Sequence, residues 1–116
     1  MSFRTKTFGV VACACFLASL SVAPAFADDT GLATSLHEVR KEKRRLCQVD
    51  HFHFGSSAGH PSQKIAMAHA IDSWQSFTAL EYGTDWANFR KAGSSTAKCT
   101  LSSGGWGCEI QARPCK

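Results

Sequence analysis

A chain of 116 residues with a formal net charge of +4 is long enough for one ordinary domain and too evenly charged for a dedicated nucleic-acid binder. Its apolar share of 44% is inflated at the N-terminus: four of the eight Phe and two of the six Cys fall before Asp28, and Asp28 to Lys116 carries eleven Lys/Arg against nine Asp/Glu, or +2. Those 89 residues are expected to form one domain that buries about 60–65% of its unfolded surface and is thermodynamically marginal alone.

The chain opens with Arg4 and Lys6 ahead of an almost unbroken apolar run, Phe8 to Val22, which ends in Pro24 and the small-x-small triplet Ala25-Phe26-Ala27. That is the layout of a secretory signal peptide cleaved after Ala27, so residues 1–27 are read as an address and not as structure. The run lacks the length and basic flank of a membrane anchor, and no transmembrane segment is expected in the mature chain. The lipobox-like Val10-Val11-Ala12-Cys13 opens the apolar run instead of closing it, which makes lipidation the lesser alternative. The expected location is periplasmic or extracellular.

Residues 28–46, DDTGLATSLHEVRKEKRRL, read as a charged flexible or helical arm. Leu32, Leu36 and Val39 give only a thin helical stripe, too little apolar surface to offset the entropy of ordering. The basic run Arg40 to Arg45 gives this arm one functional reading, attraction to an anionic polysaccharide or lipid.

Residues 47–116 are read as a single disulfide-stapled α+β domain. Cys47 to Phe54 is expected as a strand, Gly55 to Gly59 as a flexible Gly/Ser loop, and His60-Pro61-Ser62 as a helix start. From Gln63 onward Ala66, Met67, Ala70, Ile71, Trp74, Phe77 and Thr78 recur at helical spacing, predicting an amphipathic helix of four to five turns that bends or stops at Tyr82-Gly83. A short helical stretch capped by Thr84 or Asp85 should follow, with Trp86 and Phe89 inward and Gly93 at its end. Trp74, Phe77, Trp86, Phe89 and Trp106 are the expected core. The predicted architecture is β-α-β-β, a small sheet with a long helix on one face and an antiparallel C-terminal hairpin.

The hairpin also suggests a cysteine pairing. Ala97, Cys99 and Leu101 alternate with polar residues before Ser103-Gly104, and Trp106, Cys108, Ile110 and Ala112 do so after it. With a two-residue loop, Leu101 opposes Trp106 and Cys99 opposes Cys108, which leaves Cys47 to pair with Cys115. The alternative, a four-cysteine zinc site, lacks the closely spaced cysteine pairs such sites use.

The chemistry-bearing stretch is Asp50 to His60, DHFHFGSSAGH. On a strand, His51 and His53 share a face and could chelate zinc or copper, with His60 swinging in across the loop as a third ligand. Against this stands the plainer reading of solvent-facing or structural histidines. His69 lies on the long helix near its apolar face and reads as half-buried. The larger catalytic His-x-His motifs, His-Glu-x-x-His, the Gly-x-Ser-x-Gly elbow and the phosphate loop are all missing, so no catalytic residue is assigned and an enzyme is not expected. No cofactor motif is present.

The pattern His-x-His-x-Gly-Ser-Ser-x-Gly, then Ser-Trp-Gln-Ser-Phe, Tyr-Gly-Thr-Asp-Trp-Ala-Asn-Phe and a Gly-Gly-Trp-x-Cys-x-x-x-Ala-Arg-Pro-Cys ending, runs from His51 to the C-terminus. It resembles a group of small exported bacterial proteins with no assigned activity. The resemblance covers a little over half of the chain and implies a Gram-negative periplasm or the extracellular space. The reading is an exported, non-enzymatic binding protein whose partner is an envelope protein or an anionic polysaccharide. A transition-metal binder and a secreted enzyme inhibitor presenting Gly55 to His60 are the alternatives.

Overall fold

The computed structural model describes residues 31–116; the signal-peptide reading of 1–27 lies outside them. The segment expected as an arm is, from Gly31 on, part of the fold. Helix α1 (Leu32–Leu36) is followed by β1 (Val39–Glu42) and β2 (Arg45–Gln48), which pair antiparallel around the two-residue tip Lys43-Arg44. Long-range anchors supply what the sparse apolar content does not. Ala33 is fully buried with Tyr82 and Trp86, flanked by Val39 and Leu46. Leu46 exchanges two backbone hydrogen bonds with Lys116, at 2.8 and 2.9 Å, and the Gln48 amide donates to the Pro114 carbonyl at 3.0 Å. Cys47 is bonded to Cys115 across 68 residues of chain.

The strand expected over Cys47 to Phe54 divides in two. β2 ends at Gln48, the chain crosses at Val49 to Phe52, and β3 (His53–His60) starts a second sheet. The supposed Gly/Ser loop is therefore strand β3. Glycine occurs there because the helix lies so close: a Cβ on Gly55 would strike the Ala70 carbonyl oxygen and come within 2.8 Å of the Trp74 Cβ. A sequence scan reads such a residue as loop when its role is close packing.

Helix α2 (Gln63–Tyr82) begins with the Ser62 hydroxyl accepting from the Ile65 amide at 3.2 Å, and ends where the Gly83 N–H returns to the Ala79 carbonyl at 2.9 Å. The short helical stretch expected next is two single 3-10 turns, Thr84–Trp86 and Phe89–Lys91. Gly93 opens β4 (Gly93–Ser102) instead of ending a helix, and β5 (Gly105–Arg113) completes the expected hairpin. Its register pairs Leu101 with Trp106 and Cys99 with Cys108, and the Cys99–Cys108 disulfide is formed.

The larger sheet has the order β3-β5-β4, with β5 antiparallel to both neighbours. β3 and β4 thus run parallel, joined by α2 and separated by β5, a split β-α-β arrangement. Over the described residues the fold is α+β, with two small sheets, one 20-residue helix and two disulfides.

α2 buries Ala66, Ala70, Trp74, Thr78 and Tyr82, a stripe at four-residue spacing. Such a stripe drifts by about 40° per step around a helix of 3.6 residues per turn. It carries the buried face away from Phe77, which was expected in the core and is 64% exposed. The single aromatic core also resolves into two clusters. Ala66, Ala70 and Trp74 meet Cys108, Ile110 and Ala112 under the larger sheet, with Phe89 and Trp106 at the margin. Tyr82 and Trp86 form the second cluster with Ala33. The stripe therefore delivers its last residue, Tyr82, to the junction between the N-terminal hairpin and the main sheet. No helix among the described residues is long and apolar enough to cross a membrane.

Candidate metal centre

Four segments converge at that junction. His37 caps the end of α1, His51 lies in the crossing between the two sheets, His53 is the first residue of β3, and Glu81 and Tyr82 close the last turn of α2. Tyr82 is the hub. Its hydroxyl lies 2.9 Å from His37 Nε2, 2.8 Å from His51 Nε2 and 2.9 Å from Glu81 Oε1. A carboxylate accepts and cannot donate, so the one hydroxyl proton goes to Glu81, and the two imidazoles donate their Nε2–H to the phenol oxygen. One donor and two acceptor sites are all a hydroxyl has, and all are used.

The second carboxylate oxygen of Glu81 faces His53 Nε2 at 3.0 Å. His53 Nδ1 faces the Thr78 hydroxyl at 3.3 Å, and that hydroxyl donates to the Trp74 carbonyl at 2.8 Å. The His37 and His51 rings lie 4.1 Å apart between centroids, and those of His51 and His53 4.9 Å. Glu81 thus bridges a two-histidine, one-tyrosine group to a third, buried histidine.

Burial sets the protonation states. It lowers the His51 pKa below its ordinary 6.5, with the neighbouring His37 acting the same way and Glu81 only partly opposing. Burial likewise lowers His53, and the pull of Glu81 does not overcome it. The His53–Glu81 contact is therefore a hydrogen bond from a neutral imidazole at pH 7. Burial, helped by the hydrogen bond and charge of Glu81, raises Tyr82 well above the usual phenol value. Neutral imidazoles are the form that ligates a metal.

His37, His51 and Glu81 each offer one ligand atom, and these three atoms lie within 4.8 Å of one another. Tetrahedral zinc with bonds near 2.0–2.1 Å needs donors roughly 3.3 Å apart, so a modest inward movement of the side chains would be required. Beside the group a hollow of about 400 Å³ opens to solvent, lined in part by Phe52, Phe54, Phe77 and Glu81.

Of the three histidines singled out in the sequence, the structure brings His51 and His53 together and removes His60. His60 is the last residue of β3, seven residues from His53, or about 23 Å at strand rise. A rigid strand, not a flexible loop, holds it there, and its ring stacks on His69 at 4.2 Å. His69 itself is exposed, not half-buried. The sequence reading missed His37, Glu81 and Tyr82. His37 belonged to a segment read as an arm, while Tyr82 could have been found by extending the 66-70-74-78 stripe one step further.

No protein-family model, no curated protein and no solved structure matches the chain.

Proposed function

We propose that the protein is an exported, non-enzymatic binder of a divalent transition metal, zinc or copper, held by His37, His51 and Glu81 with Tyr82 as a fourth donor. The observation that carries the reading is the convergence of two imidazoles and a carboxylate, from three separate parts of the chain, on one hydroxyl. Two nitrogen and two oxygen donors suit either metal. His53 stands behind Glu81, hydrogen-bonded to its second oxygen, and orients it as outer partners of ligating groups commonly do. Export is supported by the leader-like N-terminus and by two disulfides, which persist in oxidising compartments. The absence of any recognised nucleophile or catalytic motif in the sequence supports binding over catalysis.

One feature favours a second reading. The Tyr82 hydroxyl is already fully bonded, so the same residues make a closed structural hub that ties α1, the crossing and α2 together. Calorimetric titration with zinc and with copper separates the two. A metal centre gives saturable, one-to-one binding that His51→Ala and His37→Ala each weaken strongly, while the double variant does little more than either alone, because ligands of one chelate are not additive. His60→Ala leaves binding unchanged. Weak, unsaturable binding that survives loss of His37 and His51 would leave only the structural hub.

A further inference from the structure

Away from the histidine group, the cations of the N-terminal hairpin meet those of the 3-10 turn before β4. Lys43, Arg44 and Arg45 on one side, Arg90 and Lys91 on another, and Lys116 between them line a single hollow of about 480 Å³. Two contacts build it. Arg45 Nη1 donates to the Lys91 carbonyl at 2.6 Å and the Ala92 carbonyl at 3.2 Å, which fastens the hairpin to the 3-10 turn. The Lys116 ammonium rests 5.0 Å above the centre of the Trp86 ring, which fixes its direction.

The cations at the mouth are not spent on the fold. Lys43, Arg44, Arg90 and Lys91 are exposed, and no described carboxylate lies in ion-pair range of them. Glu42, the nearest acid in sequence, is taken by Arg113 and Arg40. The hairpin tip also bears a local cost. Lys43 holds φ at 57°, a conformation that glycine or asparagine adopts more easily. The tip thus sets Lys43, in a left-handed position, and Arg44 in one hollow with four more cations.

A second hollow of about 450 Å³ adjoins the first, shares Lys91 and Lys116, and continues into Thr84, Asp85 and Asn88. These are hydroxyl, carboxylate and amide groups of the kind that hydrogen-bond sugar hydroxyls. We infer that the paired hollows bind an acidic saccharide, with its anionic groups among Lys43, Arg44, Arg90 and Lys91 and its hydroxyls against Asp85 and Asn88. The hydroxyl, carboxylate and amide groups beside the cations suit a polyhydroxylated chain better than a bilayer surface, which calls on the cations alone. Nucleic acid would want bases stacked on exposed aromatic rings, and the tryptophan here, Trp86, is fully buried beneath Lys116.

The test is binding of a short oligogalacturonate to the purified protein, measured by calorimetry beside tripolyphosphate, anionic phospholipid vesicles and a single-stranded oligonucleotide. The oligogalacturonate is expected to bind saturably and more tightly than tripolyphosphate, and to weaken as salt rises. Lys43→Glu/Arg44→Glu and Arg90→Glu/Lys91→Glu should each lower its affinity by about tenfold or more, since each reverses two charge-assisted contacts. His51→Ala should leave it unchanged, which keeps this site separate from the metal centre. All four reversed residues are exposed, and the milder Lys43→Gln/Arg44→Gln pair, expected to act in the same direction, guards against a folding defect. Equal binding by the wild type and both reversed variants would overturn the inference. So would tripolyphosphate matching the saccharide, or capture by vesicles or the oligonucleotide with no saturable saccharide binding.

Discussion

Arg113 and Glu42 form a two-pronged ion pair that locks the end of β5 to the N-terminal hairpin, with Nη1 2.9 Å from one carboxylate oxygen and Nη2 3.0 Å from the other. Two further N–H groups of the guanidinium donate to the Gln48 carbonyl at 2.6 Å and the Ser94 hydroxyl at 3.2 Å. The Arg113 side chain is only 8% exposed, so removing its partner strands a buried charge. Glu42→Gln should destabilise by about 2–3 kcal/mol, below the 3–5 typical of a fully buried pair because Glu42 itself is partly exposed. Urea unfolding would read this directly, and an unchanged midpoint would show that the pair is not structural.

The same pair predicts a pH window. Hydrogen bonds from Arg113, then from Arg40, pull the Glu42 carboxyl from 4.5 down to about 2. A carboxylate with a lowered folded-state pKa contributes stability that is complete above pH 4.5 and is lost as pH falls from there toward 2. His51 and His53 give a second window. Their folded-state pKa values lie below 6.5, so the unfolded chain takes up protons first and stability declines as pH falls through 6.5. Stability of the metal-free protein should therefore fall in two stages on acidification, and Glu42→Gln should lack the lower one. A flat profile between pH 7 and 5 would contradict the neutral imidazoles.

Gly55 and Gly59 should respond differently to alanine. At Gly55 a Cβ meets backbone of α2 that cannot yield without lifting the helix, and Gly55→Ala should cost about 3 kcal/mol or more. At Gly59 the nearest atom is 3.6 Å away and only the positive φ of 76° opposes a side chain, so Gly59→Ala should cost about 1 kcal/mol. Thermal unfolding of the two variants side by side tests the assignment of this segment as strand. Similar, small losses would suit a loop.

Trp74 and Phe77 form another contrasting pair. Trp74 is fully buried and its indole N–H donates to the His53 carbonyl at 3.0 Å. Trp74→Ala should cost about 3–5 kcal/mol, and with it the placement of His53. Phe77→Ser, on the exposed side of the drifting stripe, should change stability by less than about 0.5 kcal/mol. Loss of comparable stability in both would mean that Phe77 is covered in solution.

How far the sequence was readable follows from which signals are local. The Cys99–Cys108 pairing could be read because one tight turn fixes the register of its hairpin, and α2 because its stripe and Ser62 cap are contiguous. Residues 31–46 could not. Their order comes from partners far along the chain, Tyr82, Trp86, Arg113 and Lys116, and from the Cys47–Cys115 bond that follows directly, and no window around Val39 contains those. The histidine group shows the same division. The alternation of His51 and His53 is visible, whereas His37 and Tyr82 meet across 45 positions. Gly55 carries a local signal that points the wrong way, since a glycine needed for close packing has the same identity as one needed for flexibility.

Tyr82→Phe gives the sharpest test of the candidate centre, because it removes one atom from the middle of the group and leaves the ring. In metal-free protein the change deprives two imidazole N–H groups and one carboxylate oxygen of a common partner, and should cost about 1–3 kcal/mol. Zinc then distinguishes the readings. If the group binds metal, zinc at a hundred times its dissociation constant should stabilise the wild type by about 2.7 kcal/mol, through mass action on the folded state alone. Tyr82→Phe should keep part of that gain, since His37, His51 and Glu81 remain, and His37→Ala/His51→Ala should lose all of it. A wild type whose unfolding midpoint does not move with zinc or copper, beside a destabilised Tyr82→Phe, would assign the hydroxyl to holding the fold and end the metal proposal.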